Sequence, residues 1–375
     1  MIRNSVCAPL LGAGVRRLSL PLGCVLACLL VAAGAAPQRA DARKFLNSMW
    51  GPIKFAQGSA GCNGPKRCSA FGVYRRLGVE VFQYQMQWSQ IAPTRPAHPR
   101  NPRDPAYRWP NEFRFAVRAA RRRHMRVMFL IKGSPSWANG GRSANWAPKP
   151  RAFASFATAA ARKYRRVNHW EIWGEPTRAN NWRPQRRKGA RKYARLLKAA
   201  YIALNKVRRR NVVVGGMTFF GGYTRPPDWI RFLRLPSGRP PPMDWWGHNP
   251  FEARFPNIRK RPIKDFRGLS DIDTLWREIR RHYRGVRKRP RKLWLSEYTV
   301  QSDHGSYVFP YYVSRRKQAK RLRAAYRLAR RQRYVKGMGW YQLIDYPPAP
   351  SNPTWGLMTY SGERKPAFYA YKRLP

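Results

Sequence analysis

The chain has 375 residues, which is enough for one large domain or two ordinary ones. Hydrophobic residues make up 43% of it and aromatic residues 14%, a composition that excludes a globally disordered chain. Its 76 Lys and Arg outnumber its 17 Asp and Glu, which gives a net charge of +59. Such a surface is expected to attract anionic polymers or membranes, unless the basic residues only solvate outer helix faces.

The first 42 residues have the pattern of an export signal. Arg3, Arg16 and Arg17 precede an apolar run at residues 18–36, and small-residue cleavage patterns follow it. The sequence therefore predicts a removed signal peptide over residues 1–42, with no retained transmembrane segment. The mature protein is expected to be secreted or attached to the cell envelope, with a single catalytic domain at residues 43–375.

Two cysteines remain in the mature chain close to its start. Cys62 and Cys68 flank an Asn-Gly-Pro turn that can bring their sulfurs together. In an exported protein this spacing predicts a local disulfide. A zinc site is disfavoured, because no histidine nearby completes a tetrahedral set.

Segments of strand and helix character alternate from residue 45 onward. The predicted strands are residues 45–50, 79–87, 126–131, 167–173, 212–219, 243–248, 292–297 and 338–343. The predicted helices are residues 70–77, 112–124, 151–164, 188–208, 228–233, 271–283, 315–331 and 365–373. Eight such units predict an α/β fold, a single (β/α)8 TIM barrel. A doubly wound sheet is the rival fold, but no glycine-rich phosphate loop follows the first strand.

Two aromatic-rich strand segments each end on a glutamate, in a chain that is poor in acid. His-Trp-Glu-Ile-Trp-Gly-Glu-Pro at residues 169–176 carries Glu175, and Leu-Trp-Leu-Ser-Glu-Tyr at residues 293–298 carries Glu297. At the carboxyl ends of barrel strands four and seven, both carboxylates are expected to face one pocket. Such a pair, one protonated and one ionised, is what glycosidic cleavage requires. The alternative is a pair of structural carboxylates held by arginine.

These motifs resemble those of retaining glycoside hydrolases of clan A, close to the cellulase- and β-xylosidase-like barrels of families 5 and 39. The resemblance implies a carbohydrate substrate, with Glu175 as the general acid/base and Glu297 as the nucleophile. It implies neither a metal nor an organic cofactor. Matching segments follow in the same order along most of the mature chain.

The resemblance also suggests which side chains bind the sugar. Trp340 on the eighth strand, with Trp137 and Trp88 after strands three and two, are expected to stack on sugar rings. For Trp88 and Trp137, simple packing is an equal alternative. His248 and Tyr298 are further candidates for substrate binding, although a core histidine satisfied by its neighbours is nearly as good an interpretation of His248.

Three positions depart from the pattern of these families. Gly174 replaces the Asn that bonds the sugar 2-hydroxyl, Gln83 replaces an Arg that supports the nucleophile, and Phe251 replaces a Tyr. Each change removes a hydrogen bond that would strengthen at the transition state. The second hypothesis is therefore a glycan-binding barrel with weakened or lost turnover.

Two polar residues and the overall charge remain. Glu171 is expected on the same strand face as Trp173 and Glu175, paired with an inward Arg or Lys. Lys132, at the end of strand three, is placed to meet an acidic substrate group. The basic surface suggests an anionic cell-envelope polymer as a partner, and no nucleic-acid recognition motif accompanies the charge. We expect a monomer.

Overall fold

The structure is a computed structural model that describes residues 44–51, 70–259 and 261–375. Residues 45–375 form one compact unit. The predicted signal peptide at residues 1–42 and the predicted Cys62–Cys68 disulfide lie outside the described residues.

The described residues form a closed barrel of eight parallel strands, in which each strand pairs with the next and the last pairs with the first. The strands are β1 (Leu46–Trp50), β2 (Val81–Gln87), β3 (Arg126–Lys132), β4 (His169–Ile172), β5 (Val212–Phe219), β6 (Trp245–Asn249), β7 (Lys292–Tyr298) and β8 (Val335–Trp340). The predicted (β/α)8 barrel is therefore confirmed. A strand buried on both faces reads as a continuous apolar run, as the five consecutive buried residues of β3 do.

Helices follow the strands and cover the barrel. They are α1 (Ala70–Arg76), α2 (Trp88–Ile91), α3 (Asn111–Arg121), α4 (Ser136–Asn139), α5 (Pro150–Lys163), α6 (Arg186–Val207), α7 (Pro226–Phe232), α8 (Ile272–His282), α9 (Arg315–Arg331) and α10 (Pro366–Lys372). The short helix α2 begins directly after β2, and the short helix α4 begins four residues after the end of β3. Neither helix is among the predicted elements. None of the helices in the described part of the chain is long and apolar enough to cross a bilayer.

The hydrophobic core has two layers. The inner layer fills the barrel and comes from the strands, with Leu46, Trp50, Leu130 and Trp294 among its members. The much larger outer layer lies between the barrel and its helices. Since successive residues of a strand point to opposite faces, the layer that holds a side chain shows whether it faces the barrel axis or the helices.

The basic residues lie almost entirely on the outside. Among the Lys and Arg of the described segments, Arg267, Lys336 and Lys365 are buried. Arg267 pairs with Glu278, and Lys365 lies 2.6 Å from Asp345. The helices place their other arginines toward water, which is the pattern of solvated helix faces.

Candidate active site

The chain makes a sharp turn as it leaves β4. Trp173 and Glu175 have φ angles of 64° and 46°, in the left-handed region that side chains other than glycine rarely adopt. The Trp173 indole N–H donates to the Asn181 carbonyl at 2.7 Å, and its ring packs edge-on against Trp182. This turn breaks the strand alternation, so Trp173 points outward and does not share a face with Glu175, contrary to the prediction. Backbone strain of this kind concentrates at functional sites.

The Glu175 carboxylate is almost fully buried and accepts three hydrogen bonds. Oε2 accepts from Arg178 Nη1 at 2.9 Å and from Asn181 Nδ2 at 3.1 Å, and Oε1 accepts from Asn249 Nδ2 at 2.9 Å. Arg178 also lies over the Phe219 ring, 4.7 Å from its centroid. These three donors hold the Glu175 carboxylate in one orientation.

Asn249, at the end of β6, connects the two candidate glutamates. Its Nδ2 donates to Glu175, while its Oδ1 accepts from the backbone N–H of Glu297 at 3.1 Å. The amide is buried, and both of its ends are engaged. The structure thus brings the ends of β4, β6 and β7 together at one mouth, with Glu175 and Glu297 on a shared bridge.

Glu297 is half-buried at the end of β7. Burial and the neighbouring charges of Glu175 and Glu171 hold its pKa well above the ordinary value, against the opposing effect of Lys132 and Arg178. A proton on Glu297 is therefore favoured. A retaining cleavage begins with this residue ionised, so the reaction requires Glu297 to lose that proton.

A neutral polar network lies below Glu297, inside the barrel. Gln83 Nε2 donates to the Ser296 carbonyl at 2.9 Å, and Gln83 Oε1 accepts from the Trp294 indole at 3.0 Å. The Ser296 hydroxyl lies 3.2 Å from Gln83 Oε1 and 2.8 Å from Glu171 Oε1. Gln83 thus supports the backbone next to the candidate nucleophile through uncharged hydrogen bonds.

Glu171 makes no ion pair with any described residue, so the expected Arg or Lys partner was wrong. Its side chain is fully buried, and its Oε2 has no hydrogen-bond partner. Burial raises the pKa of Glu171 to about 8, although the contacts with Ser296 and Trp294 lower it. A protonated Glu171 can donate to the Ser296 hydroxyl, which then donates to Gln83.

Lys132 extends from the end of β3 toward the candidate glutamates. Its Nζ lies 3.4 Å from Asn181 Oδ1, a long contact for an ammonium that has three protons to donate. Burial lowers its pKa, and the charges of Glu175 and Glu297 oppose this effect. The predicted position of Lys132 at the mouth is consistent with this electrostatic contact to both carboxylates.

Three of the predicted sugar-binding aromatics lie in the core. Trp88, Tyr298 and Trp340 have no exposed surface, and all three belong to the outer layer between barrel and helices. Trp88 stacks on Phe156, and the Tyr298 and Trp340 rings meet edge-on. The predictions for Tyr298 and Trp340 were wrong in orientation, since side chains that face the helices are not available to a sugar at the mouth. Trp88 takes the packing alternative.

His248 is a buried core histidine. Its Nε2 donates to the Arg267 carbonyl, and its Nδ1 accepts from the Thr218 hydroxyl, both at 2.8 Å. Burial lowers its pKa to about 4, so the ring is neutral at pH 7. Both ring nitrogens are used, and the structure corrects the predicted substrate contact of His248 to the core alternative.

Two other aromatics occupy the mouth side. Tyr341, which directly follows β8, is half-buried and packs against Trp50 and Trp355. Burial raises its pKa, with Tyr346 and Glu297 adding to the rise, so its hydroxyl lies within electrostatic reach of the candidate nucleophile. Trp137, on α4, is half-exposed and donates to the Ala92 carbonyl at 2.9 Å. The sequence analysis missed Tyr341 because the neighbouring Trp340 matched the motif.

The departures at Gly174 and Phe251 have visible packing consequences. A Cβ added at Gly174 would lie 3.2 Å from Leu130 Cδ1 and 3.9 Å from Lys132 Cδ, so the Lys132 stem takes up space beside this glycine. Phe251 is buried between Phe219 and Phe309 and has no hydroxyl to offer the site.

Solved structures with similar folds are glycoside hydrolases. A family 39 glycoside hydrolase from Bacteroides cellulosilyticus WH2 aligns with a TM-score of 0.63 at 18% identity, over 88% of this chain and 63% of that one. A glucosidase from Croceicoccus marinus aligns with a TM-score of 0.61 at 15% identity, over 88% of this chain and 65% of that one. A monomeric β-xylosidase from Caulobacter crescentus CB15 aligns with a TM-score of 0.55 at 16% identity, over 88% of this chain and 67% of that one.

The similarity is one of fold at low sequence identity. No protein-family model matches the sequence, and comparison with curated proteins finds no significant relative. The chain spans less than two thirds of the length of the first two of these structures.

Proposed function

We propose that this protein is a glycoside hydrolase that cleaves β-linked sugars with retention of configuration. The observation that carries the proposal is the pair Glu175 and Glu297, fixed at the ends of β4 and β7 and joined through Asn249. The barrel shared with glycoside hydrolases supports it. Fold alone does not specify chemistry, so the two carboxylates and their surroundings carry the conclusion.

The proposed reaction has two steps. Glu297 attacks the anomeric carbon as Glu175 donates its proton to the departing glycosidic oxygen, so that one C–O bond breaks and an ester bond to Glu297 forms. Glu175 then removes a proton from water, which attacks the same carbon and releases Glu297. The residues of this chain supply all the proton transfers.

The test is hydrolysis of a panel of aryl β-glycosides and β-glucans, with the product anomer followed by NMR. Turnover by the wild type that is lost in Glu297→Gln is expected. Glu363→Gln, at an exposed glutamate paired with Arg315, is the matched control and should retain activity. Labelling by a 2-fluoro glycoside should attach the sugar to the peptide that contains Glu297. A labelled peptide without Glu297 contradicts the assignment.

The second candidate is a glycan-binding barrel that has lost turnover. It is favoured by the raised pKa of Glu297 and by the departures at Gln83, Gly174 and Phe251. Sugar binding by calorimetry with no hydrolysis of any substrate would decide for this candidate. Hydrolysis that depends on Glu297 would decide against it.

Export and attachment to an anionic envelope polymer belong to the same proposal. A surface cavity of about 990 Å³ beside α8 is lined by arginines that include Arg280, Arg284, Arg287 and Arg289, and these four make no ion pair with described residues. Binding to an acidic polysaccharide that falls steeply with salt is expected. N-terminal sequencing of the mature protein would test the predicted cleavage near residue 42, and size-exclusion chromatography the predicted monomer.

A further inference from the structure

Two cations lie beside the candidate glutamates, and neither has all of its donors used. Lys132 Nζ has one long contact, to Asn181 Oδ1 at 3.4 Å. Arg178 uses Nη1 on Glu175 and leaves Nε and Nη2 without a protein partner among the described residues. Asn181 touches both Lys132 and Glu175, so the four side chains form one connected cluster.

The charges of this cluster do not balance in the form of the site that the proposed reaction needs. With both glutamates ionised, two negative charges face Lys132 and Arg178. When Glu175 carries the proton of a general acid, one negative charge remains against two positive ones. An anion that binds between Lys132 and Arg178 would restore the balance in this form of the site.

The geometry of Arg178 indicates how an anion would be held. Its guanidinium lies over the Phe219 ring, and the side chain as a whole is 32% exposed. A planar guanidinium with two free donors binds a carboxylate or sulfate through paired hydrogen bonds. Such a ligand could occupy Nε and Nη2 while Nη1 remains on Glu175.

We propose that the substrate of this site is an acidic sugar, whose anionic group binds to Lys132 Nζ and to the free Nε and Nη2 of Arg178. This inference rests on the proposed glycosidase function and names its substrate class. The anion is a uronate carboxylate or a sulfate ester, which share this chemistry. The negative group is thus the feature by which the site recognises its substrate.

The test compares substrates that differ at a single position. The ratio of kcat/KM for 4-nitrophenyl β-glucuronide over the β-glucoside, and for the β-galacturonide over the β-galactoside, is measured in the wild type. The β-glucoside 6-sulfate separates a sulfate preference from a carboxylate preference. We expect at least one anionic member to be favoured about tenfold or more, as lost hydrogen bonds to a charged group would imply.

Three variants separate the local site from the general positive charge of the protein. Lys132→Met and Arg178→Met should each lower the anionic preference about tenfold, and either suffices if the other fails to fold. Arg231→Met is the matched control. Arg231 pairs with Asp228 three residues earlier and lies 4.6 Å from the Phe232 centroid, as Arg178 does with Glu175 and Phe219, but outside the site. It should leave the preference unchanged.

The outcomes distinguish the two proposals. If the neutral glycosides are hydrolysed as well as the anionic ones or better, the acidic-sugar inference is overturned and the glycosidase proposal stands. The same holds if Arg231→Met lowers the anionic preference as much as Lys132→Met and Arg178→Met do. If nothing is hydrolysed, calorimetry with the corresponding methyl glycosides decides. If the anionic methyl glycoside binds about tenfold more tightly than the neutral one, and Lys132→Met and Arg178→Met abolish this difference in affinity, the anion site is supported and the glycosidase proposal fails. Equal affinities for the two glycosides overturn both proposals.

Discussion

Glu171 and Glu175 are four residues apart at the end of one strand, and their surroundings are opposite. At the mouth, Glu175 accepts hydrogen bonds from Arg178, Asn181 and Asn249. Inside the barrel, Glu171 has the Ser296 hydroxyl at one oxygen and nothing at the other. A carboxylate at the mouth of the barrel thus has a charged neighbour, whereas a carboxylate four residues earlier, inside the barrel, contacts only neutral groups. Residue type alone therefore does not tell a reactive carboxylate from a structural one.

The largest expected difference between these regions is in activity. Glu175→Gln should lower kcat by about 10²–10⁴-fold on glycosides with poor leaving groups, because general acid catalysis is lost. The loss should be smaller with a 4-nitrophenyl leaving group, which departs without a proton. Glu171→Gln should change kcat less than about threefold, because an amide replaces a carboxyl that is already neutral at pH 7. Equal losses in the two variants would contradict the separation.

Glu171, the carboxyl inside the barrel, should also make the free energy of unfolding depend on pH. The pKa of Glu171 rises from its ordinary 4.5 to about 8 on folding. Between these values the folded protein keeps a proton that the unfolded chain has lost, so the free energy of unfolding falls as pH rises. The fall from this group is about 1.4 kcal/mol per pH unit.

This contribution is fully present below pH 4.5 and is lost as the pH rises through about 8. Urea denaturation of wild type and Glu171→Gln between pH 5 and pH 8 measures it as the difference between the two slopes. Glu363→Gln, at the exposed glutamate, should keep the wild-type slope. Parallel curves for wild type and Glu171→Gln would show that Glu171 does not hold its proton.

The bridge between the glutamates should have an intermediate effect. Asn249→Ala removes one hydrogen bond to a carboxylate and one to the Glu297 backbone, and kcat/KM should fall about 10- to 100-fold. As a positioning residue, Asn249 should act on kcat more than on KM, because the two glutamates lose the amide that joins them. A change confined to KM would contradict this role.

The smallest effect should separate the aromatics of the core from those of the mouth. Tyr341→Phe should raise KM about 2- to 10-fold if its hydroxyl bonds the sugar. Trp340→Phe should leave KM unchanged and lower the urea midpoint, because Trp340 is fully buried in the outer layer. A raised KM in Trp340→Phe would restore the original prediction for that residue.

The alternation of strands and helices predicted the barrel well because the strand segments are mostly apolar and are separated by helices of clear periodicity. The two glutamates stood out because acid is scarce and each ends an aromatic strand segment. The structure places both at the mouth, while their catalytic roles stay a prediction.

The faces of the strands were harder to predict. Parallel strands in a barrel are buried on both sides, so the sequence of β8 carries no polar alternation to show that Trp340 faces outward. Register shifts between β7 and β8, and the left-handed residues after β4, change the alternation again. Arg178, Asn181 and Asn249 were missed for another reason. Arg178 and Asn181 reach Glu175 from the loop after β4, and Asn249 reaches it from the end of β6, where the sequence carries no motif that singles them out.

The Asn249 bridge also bears on how such a barrel can be divided. Glu175 comes from the fourth strand, while Asn249 and Glu297 come from the sixth and seventh. A cut in the chain between the fourth and fifth strands would leave one glutamate on each fragment and the amide that joins them on the second. Neither half would carry a site, and a half exchanged with another barrel would have to supply a matching partner. The pair is therefore inherited, recombined or lost as one unit.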